Sequence, residues 1–188
     1  MQSIIKHEFS EHIKIGQATM QSISTSIESA ARLCINSLKH GGKILILGNG
    51  GSAADAQHIA AEMIGRYKNE RKSLPAIALT TDTSVLTAIS NDYGYENVFI
   101  RQVEALGNKG DVVIAISTGG TSINAVNALK VASEMGCKTI GFSGRGGGEF
   151  NSFCDINLVV PAEDTARIQE MHILIGHTIC QLIDLEYS

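Results

Sequence analysis

A chain of 188 residues, 44% hydrophobic and 18% charged, can bury one full core without disulfides or a structural metal. That composition excludes a disordered protein, and that length a large multidomain machine. A net charge of −4 offers no basic field to hold a nucleic-acid backbone, so nucleic acid is not an expected partner.

Residues 2 to about 40 contain no proline and one glycine. Apolar residues from Ile4 through Phe9, Ile13, Met20, Ile23, Ile27, Ala31 and Cys34 to Leu38 recur three or four apart, with a gap near Gly16. The spacing predicts two helices, or one long interrupted helix, stopped by Gly41-Gly42. The opening stretch mixes charge with apolar residues and has no signal-peptide h-region. No apolar run approaches the ~18 residues of a membrane span, so no membrane partner is expected. Beyond the double glycine, short continuous apolar runs alternate with helical patterns. The runs are 43–47, 76–80, 112–116, 138–142 and 156–160. Such runs suit strands covered on both faces. Helical patterns cover about 53–66, 83–105 with a break near Asn91 to Tyr95, 122–135 and 165–185. Alternation of this kind predicts an α/β fold: a five-stranded parallel sheet flanked by helices, with an N-terminal helical extension. The charge-rich stretch Arg66–Lys72 reads as a solvated connection. Cys34, Cys137, Cys154 and Cys180 form no CxxC pair, which suits free thiols in a reducing cytoplasm.

Two predicted strands run into glycine-hydroxyl loops that open helices. The first is Gly48-Asn49-Gly50-Gly51-Ser52, and the second is Ser117-Thr118-Gly119-Gly120-Thr121-Ser122. Glycine allows close backbone approach to an anion, and a helix N-terminus adds a positive dipole end. Neither loop is a Walker A or a dinucleotide fingerprint. A small phosphorylated ligand is therefore expected rather than a nucleotide. In a sheet of order 2-1-3-4-5 the two loops would flank the switch point where open α/β sheets bind ligands.

His58 and Glu62, four apart, share one helix face, as do Gln169 and His177, eight apart. His172, three after Gln169, is placed near the same face. Such residues suit metal ligation or acid–base work. A solvent-exposed pair for His58 and Glu62, and a hydrogen-bonded interior histidine for His177, are the plainer alternatives.

The segments GNGGSAADAQHIAAEMIGRY, ISTGGTSINAV and ARIQEMHILIGHTICQLID, in that order and spacing, resemble the phosphoheptose isomerase family within the sugar isomerase (SIS) domain group. The similarity runs over essentially the whole chain, including Asn91-Asp92-Tyr-Gly. It implies an N-terminal helical segment (1–36) and an SIS domain (37–188), and an isomerase that converts sedoheptulose 7-phosphate to D-glycero-D-manno-heptose 7-phosphate. It further implies a cytoplasmic homotetramer with active sites at subunit interfaces. Carried over position by position, the resemblance implies one Zn2+ per active site at His58, Glu62, Gln169 and His177. Sugar and phosphate contacts fall on Asn49, Gly50, Gly51, Ser52, Glu62, Asn91, Asp92, Ser117, Thr118, Gly119, Ser122 and Gln169. The acid/base pair is Glu62 and His177. Related sequences often read STSGNS where this chain reads STGGTS, so Gly119 offers an N–H but no hydroxyl. A noncatalytic SIS protein, either a sugar-phosphate sensor or a tetrameric adaptor of the replication initiator, is the rival reading. An adaptor has no use for Glu62 and His177 together.

Overall fold

Alternate residues of the first strand enter two separate cores: Ile44 and Ile46 on one side, Leu45 and Leu47 on the other. This is the period-2 geometry of a strand buried on both faces. The computed structural model describes residues 1–188. Five parallel strands, β1 (Ile44–Gly48), β2 (Ala76–Ala78), β3 (Val112–Ile116), β4 (Lys138–Gly144) and β5 (Ile156–Val160), form one sheet in the order β2-β1-β3-β4-β5. The predicted order and strand count are thus observed. β2 stops at Ala78, before Leu79 and Thr80. The chain there turns toward Asp82, whose carboxylate accepts from the Val85 N–H and caps the next helix.

Helix α1 (Gln2–Lys39) is a single uninterrupted helix. Gly16 does not break it, because one glycine costs only about 1 kcal/mol against alanine within a long helical run. Its buried residues Ile23, Ala30, Ala31, Cys34 and Leu38 join the core built with α2 (Gly51–Ile64), α7 (Thr165–Tyr187) and one face of the sheet. The opposite face is covered chiefly by α4 (Val98–Leu106) and α5 (Ile123–Glu134). The expected break in the 83–105 pattern falls at Gly94. There α3 (Thr83–Tyr93) ends and a 3-10 turn (Tyr95–Asn97) leads into α4. The short helix α6 (Phe150–Phe153) follows the glycine-rich stretch 144–148 and has no periodic signal of its own.

Two contacts hold α2 against α7. Gly176 faces Ile59, and a Cβ at 176 would come within 2.6 Å of Ile59 Cδ1. Only a glycine lets the helices approach this closely. The second contact is an exception to the reading of 66–72 as a solvated connection: Arg66, Lys68, Glu70 and Lys72 are exposed as expected, but Arg71 is not. The Arg71 side chain is fully buried and its Nε donates to Asp184 Oδ1 at 2.5 Å, with Asp184 equally buried. Burial pushes the Asp184 carboxyl upward, but the backbone N–H groups of Asn69 and Lys68 and the Arg71 guanidinium outweigh it and hold the group below the usual aspartate range.

Candidate active site

Because β1 and β3 are neighbours whose chains then depart to opposite sides, the loops after them flank a crevice at the C-terminal edge of the sheet. Helices α2 and α5 start there with no side-chain cap, and with no acidic residue in the first turn. By contrast α3 and α7 are capped by Asp82 and Asp164. An N-terminus with no acidic cap keeps its positive dipole end for an external anion. Ser122, at the N-cap of α5, turns its hydroxyl to Ser117 Oγ at 2.9 Å instead. Ser117 and Ser52 are buried, whereas Thr118 and Gly119 are partly exposed.

Asn49 joins the two loops. Asn124 Oδ1 accepts from the Ala125 N–H at 2.9 Å, which fixes the orientation of its amide. Asn124 Nδ2 therefore donates to Asn49 Oδ1 at 3.0 Å, and Asn49 Nδ2 returns a bond to Asn124 Oδ1 at 2.9 Å. The Tyr95 hydroxyl also donates to Asn49 Oδ1, at 2.9 Å. Both lone pairs of Asn49 Oδ1 are thus engaged, and the residue has one N–H left for a ligand. Asn124 and Tyr95 escaped sequence reading, since nothing in their spacing announces an amide pair. Asn91 and Asp92 lie exposed in the last turn of α3, where the Asn91 amide donates to Asp92 Oδ1 at 2.7 Å. Neither hydrogen-bonds to a loop residue.

Three of the four metal-type residues meet. His58 and Glu62 stand one turn apart on α2, and His177 approaches from α7. Their ligand atoms all lie within 4.8 Å of one another. His58 Nε2 is 2.9 Å from His177 Nε2 and 3.2 Å from Glu62 Oε1. The Tyr67 ring packs on His177 with centroids 5.3 Å apart. The fourth residue, Gln169, lays its amide over Gly51, where a Cβ would come within 2.7 Å of Nε2. The absent side chain at 51 makes room for it beside the first loop. Asp55, one turn before His58, was not singled out by the sequence. Burial raises its carboxyl pKa, while the charge of His58 opposes the rise. Two imidazole nitrogens and a carboxylate oxygen converging at these distances fit a small cation of borderline softness. The spacings approach the edge of ~3.3 Å expected for a tetrahedron with bonds of about 2.0–2.1 Å.

The interior-histidine role belongs to His172, not to the partly exposed His177. His172 is fully buried, its Nε2 lies 3.1 Å from the Ser143 carbonyl, and its Nδ1 has no partner.

The SIS domain family model matches residues 9–144, a span that includes both hydroxyl-glycine loops and the first four strands. A phosphoheptose isomerase of Aliarcobacter butzleri is 61% identical over 188 residues, covering 100% of both chains. Among solved structures, phosphoheptose isomerase GmhA from Neisseria gonorrhoeae superimposes with a TM-score of 0.93 at 47% identity, and a phosphoheptose isomerase from Francisella tularensis with 0.94 at 38%, each covering 98% of both chains. The chain belongs to the phosphoheptose isomerase family.

The burial of His172 has a consequence for acid stability. Protonating Nδ1 would bury an unpaired cation, so desolvation depresses its pKa to about 4, against a weaker opposing effect of the Ser143 carbonyl. The unfolded chain takes up this proton near pH 6.5 and the folded chain does not. The contribution to stability is therefore complete above about pH 6.5 and is lost as pH falls toward 4. Urea unfolding at a series of pH values should show this slope in the wild type. His172→Gln keeps a donor for Ser143 but cannot titrate, and it should lack that component. Equal slopes in the two proteins would contradict the assignment.

Proposed function

We propose that the chain is an aldose–ketose isomerase that interconverts sedoheptulose 7-phosphate and D-glycero-D-manno-heptose 7-phosphate through an enediol, the entry step toward nucleotide-activated heptose. The observation that carries this reading is the meeting of Glu62 with His58 and His177 on α2 and α7, where α2 itself opens at a loop fitted to phosphate. A ketose becomes an aldose when one proton moves between C1 and C2 and another between the two oxygens. Each transfer needs a group in hydrogen-bond reach, and the developing oxyanion needs stabilisation.

Phosphate is held by the N-termini of α2 and α5 with the hydroxyls of Ser52, Ser117, Thr118 and Ser122 and the backbone of Gly50, Gly51 and Gly119. Asn49 gives its remaining N–H to a sugar oxygen, and Asn91, Asp92 and Gln169 complete the sugar contacts. Glu62 and His177 carry the protons. Glu62 Oε1 faces His58, and its second oxygen meets no other protein donor, which leaves it open to a carbon-bound proton. His58, Glu62, Gln169 and His177 would hold one zinc ion, and zinc when bound would polarise the sugar carbonyl. A sensor or adaptor would need the loops alone. The acid–base pair, present in addition to them, favours the enzyme.

We further propose a cytoplasmic homotetramer. Ile4, Ile5, Phe9, Ile13 and Met20 of α1 and Leu174 and Leu185 of α7 are exposed. An apolar groove of ≈ 680 Å³ runs between these two helices. Apolar surface of this extent suits burial against further copies of the chain in a closed symmetric assembly. No helix is long and apolar enough to cross a membrane. Light scattering should return four times the 20.0 kDa chain mass, and a monomer at micromolar concentration would refute the assembly.

Purified protein incubated with sedoheptulose 7-phosphate should yield an aldoheptose 7-phosphate, with solvent deuterium entering at C1 or C2. Glu62→Gln and His177→Gln should each lower kcat by about 10² to 10⁴, the range for general acid–base groups. The double variant should lose less than the product of the two effects, because the groups act as a unit. Near wild-type kcat in both single variants would end the assignment and return the adaptor to the front.

A further inference from the structure

The segment between α2 and β2 carries a buried cation that the reaction does not use. Arg71 makes two kinds of contact at once. Its Nη2 donates to the Glu62 carbonyl at 2.8 Å and its Nη1 to the Met63 carbonyl at 2.9 Å. Both carbonyls belong to the last turn of α2, where no further helical N–H can satisfy them, and that of Met63 also accepts from the Leu74 N–H at 3.1 Å. A cation at that end is also favoured by the helix dipole. The same guanidinium pairs with Asp184 of α7, at 2.5 Å through Nε, with both side chains fully buried. The other oxygen of Asp184 accepts from the backbone N–H of Lys68 at 2.7 Å and Asn69 at 2.9 Å. These two residues directly follow Tyr67, whose ring lies on His177.

We infer that the buried Arg71–Asp184 pair is a positioning device for the metal-type cluster. It ties the backbone of Glu62 on α2 to α7, and it holds Tyr67 against His177. This rests on the reading of His58, Glu62 and His177 as metal ligands. The planar guanidinium fork is the feature that matters, because it reaches two carbonyls and a carboxylate together. Nonpolar side chains of similar volume can replace a buried ion pair with little loss of stability. They cannot register one helix end against another through three directed hydrogen bonds.

The test uses the full-length protein and Co2+, a visible-spectrum probe for a site of this donor set. Its dissociation constant is measured by chelator competition and its absorption bands are recorded. Arg71→Met is compared with wild type at a temperature where circular dichroism shows both folded. Lys43→Met serves as a stability control. It breaks the Lys43–Asp111 pair at the N-terminal ends of β1 and β3, which shares no hydrogen bond with His58, Glu62, Tyr67 or His177. Arg71→Met should weaken Co2+ binding about 10- to 100-fold, the usual effect of losing a partner that orients ligands, and should alter the absorption bands. Lys43→Met should lower stability and leave both readouts at wild-type values. If Arg71→Met does not fold, Arg71→Lys carries the same comparison, since one ammonium can face Asp184 but cannot span both carbonyls. Wild-type affinity and spectrum in a folded Arg71 variant would overturn the inference while leaving the metal reading intact. Equal weakening in Lys43→Met would overturn it as well, by showing general destabilisation. A wild-type protein that binds no Co2+ would overturn the metal reading and the inference together.

Discussion

The contact between α2 and α7 is the constraint on which the site depends. His58 and Glu62 are more than a hundred residues from His177 in sequence, and only the approach of these two helices brings them within 4.8 Å. That approach requires a surface with no side chain on α7, which Gly176 supplies opposite Ile59. It is pinned at the far end of α2 by the Arg71–Asp184 pair. A chain with the same strands and loops but a looser α2–α7 joint would keep the crevice between its two glycine loops and lose the convergence of His58, Glu62 and His177.

The other half of the site comes from backbone more than side chains. Strand order 2-1-3-4-5 puts two helix N-termini at one edge. Leaving α2 and α5 without acidic caps, while α3 and α7 carry aspartate caps, keeps two positive dipole ends free of a neutralising carboxylate at the crevice. The reciprocal amides of Asn49 and Asn124 then lock the first loop to the start of α5. The glycine loops and the His58–Glu62–His177 cluster are thus held by different contacts, yet they meet on α2, which opens at the first loop and carries Glu62 three turns later.

Much of this was legible in the sequence because the signals are local. Continuous apolar runs marked all five strands, and glycine with hydroxyl residues marked both loops. The spacing of His58 with Glu62, and of Gln169 with His177, marked two helix faces. What escaped depends on tertiary context. Gly16 looked like a break, but a single glycine in a helix packed along α7 is tolerated. His172 and His177 share a helix and an apolar neighbourhood, and which one is interior follows from how α7 is rotated against β4. Arg71 sits among charged residues and reads as solvated. Its burial becomes visible only when Asp184, 113 residues on, is brought alongside. Asn124 gave no signal, because a buried amide pair has no sequence period.

The proposed function requires that α2 and α7 together build one metal-holding, proton-transferring centre. Crystals of the zinc-loaded protein, measured with anomalous diffraction at the zinc edge, address it most directly. The account predicts one peak per chain, at about 2.0–2.2 Å from His58 Nε2, a Glu62 oxygen and His177 Nε2, with the Gln169 amide turned from Gly51 toward the ion. Zinc bound elsewhere, for instance between His12 and Glu170 at the α1–α7 contact, or no zinc in the cluster at saturating concentration, would contradict it.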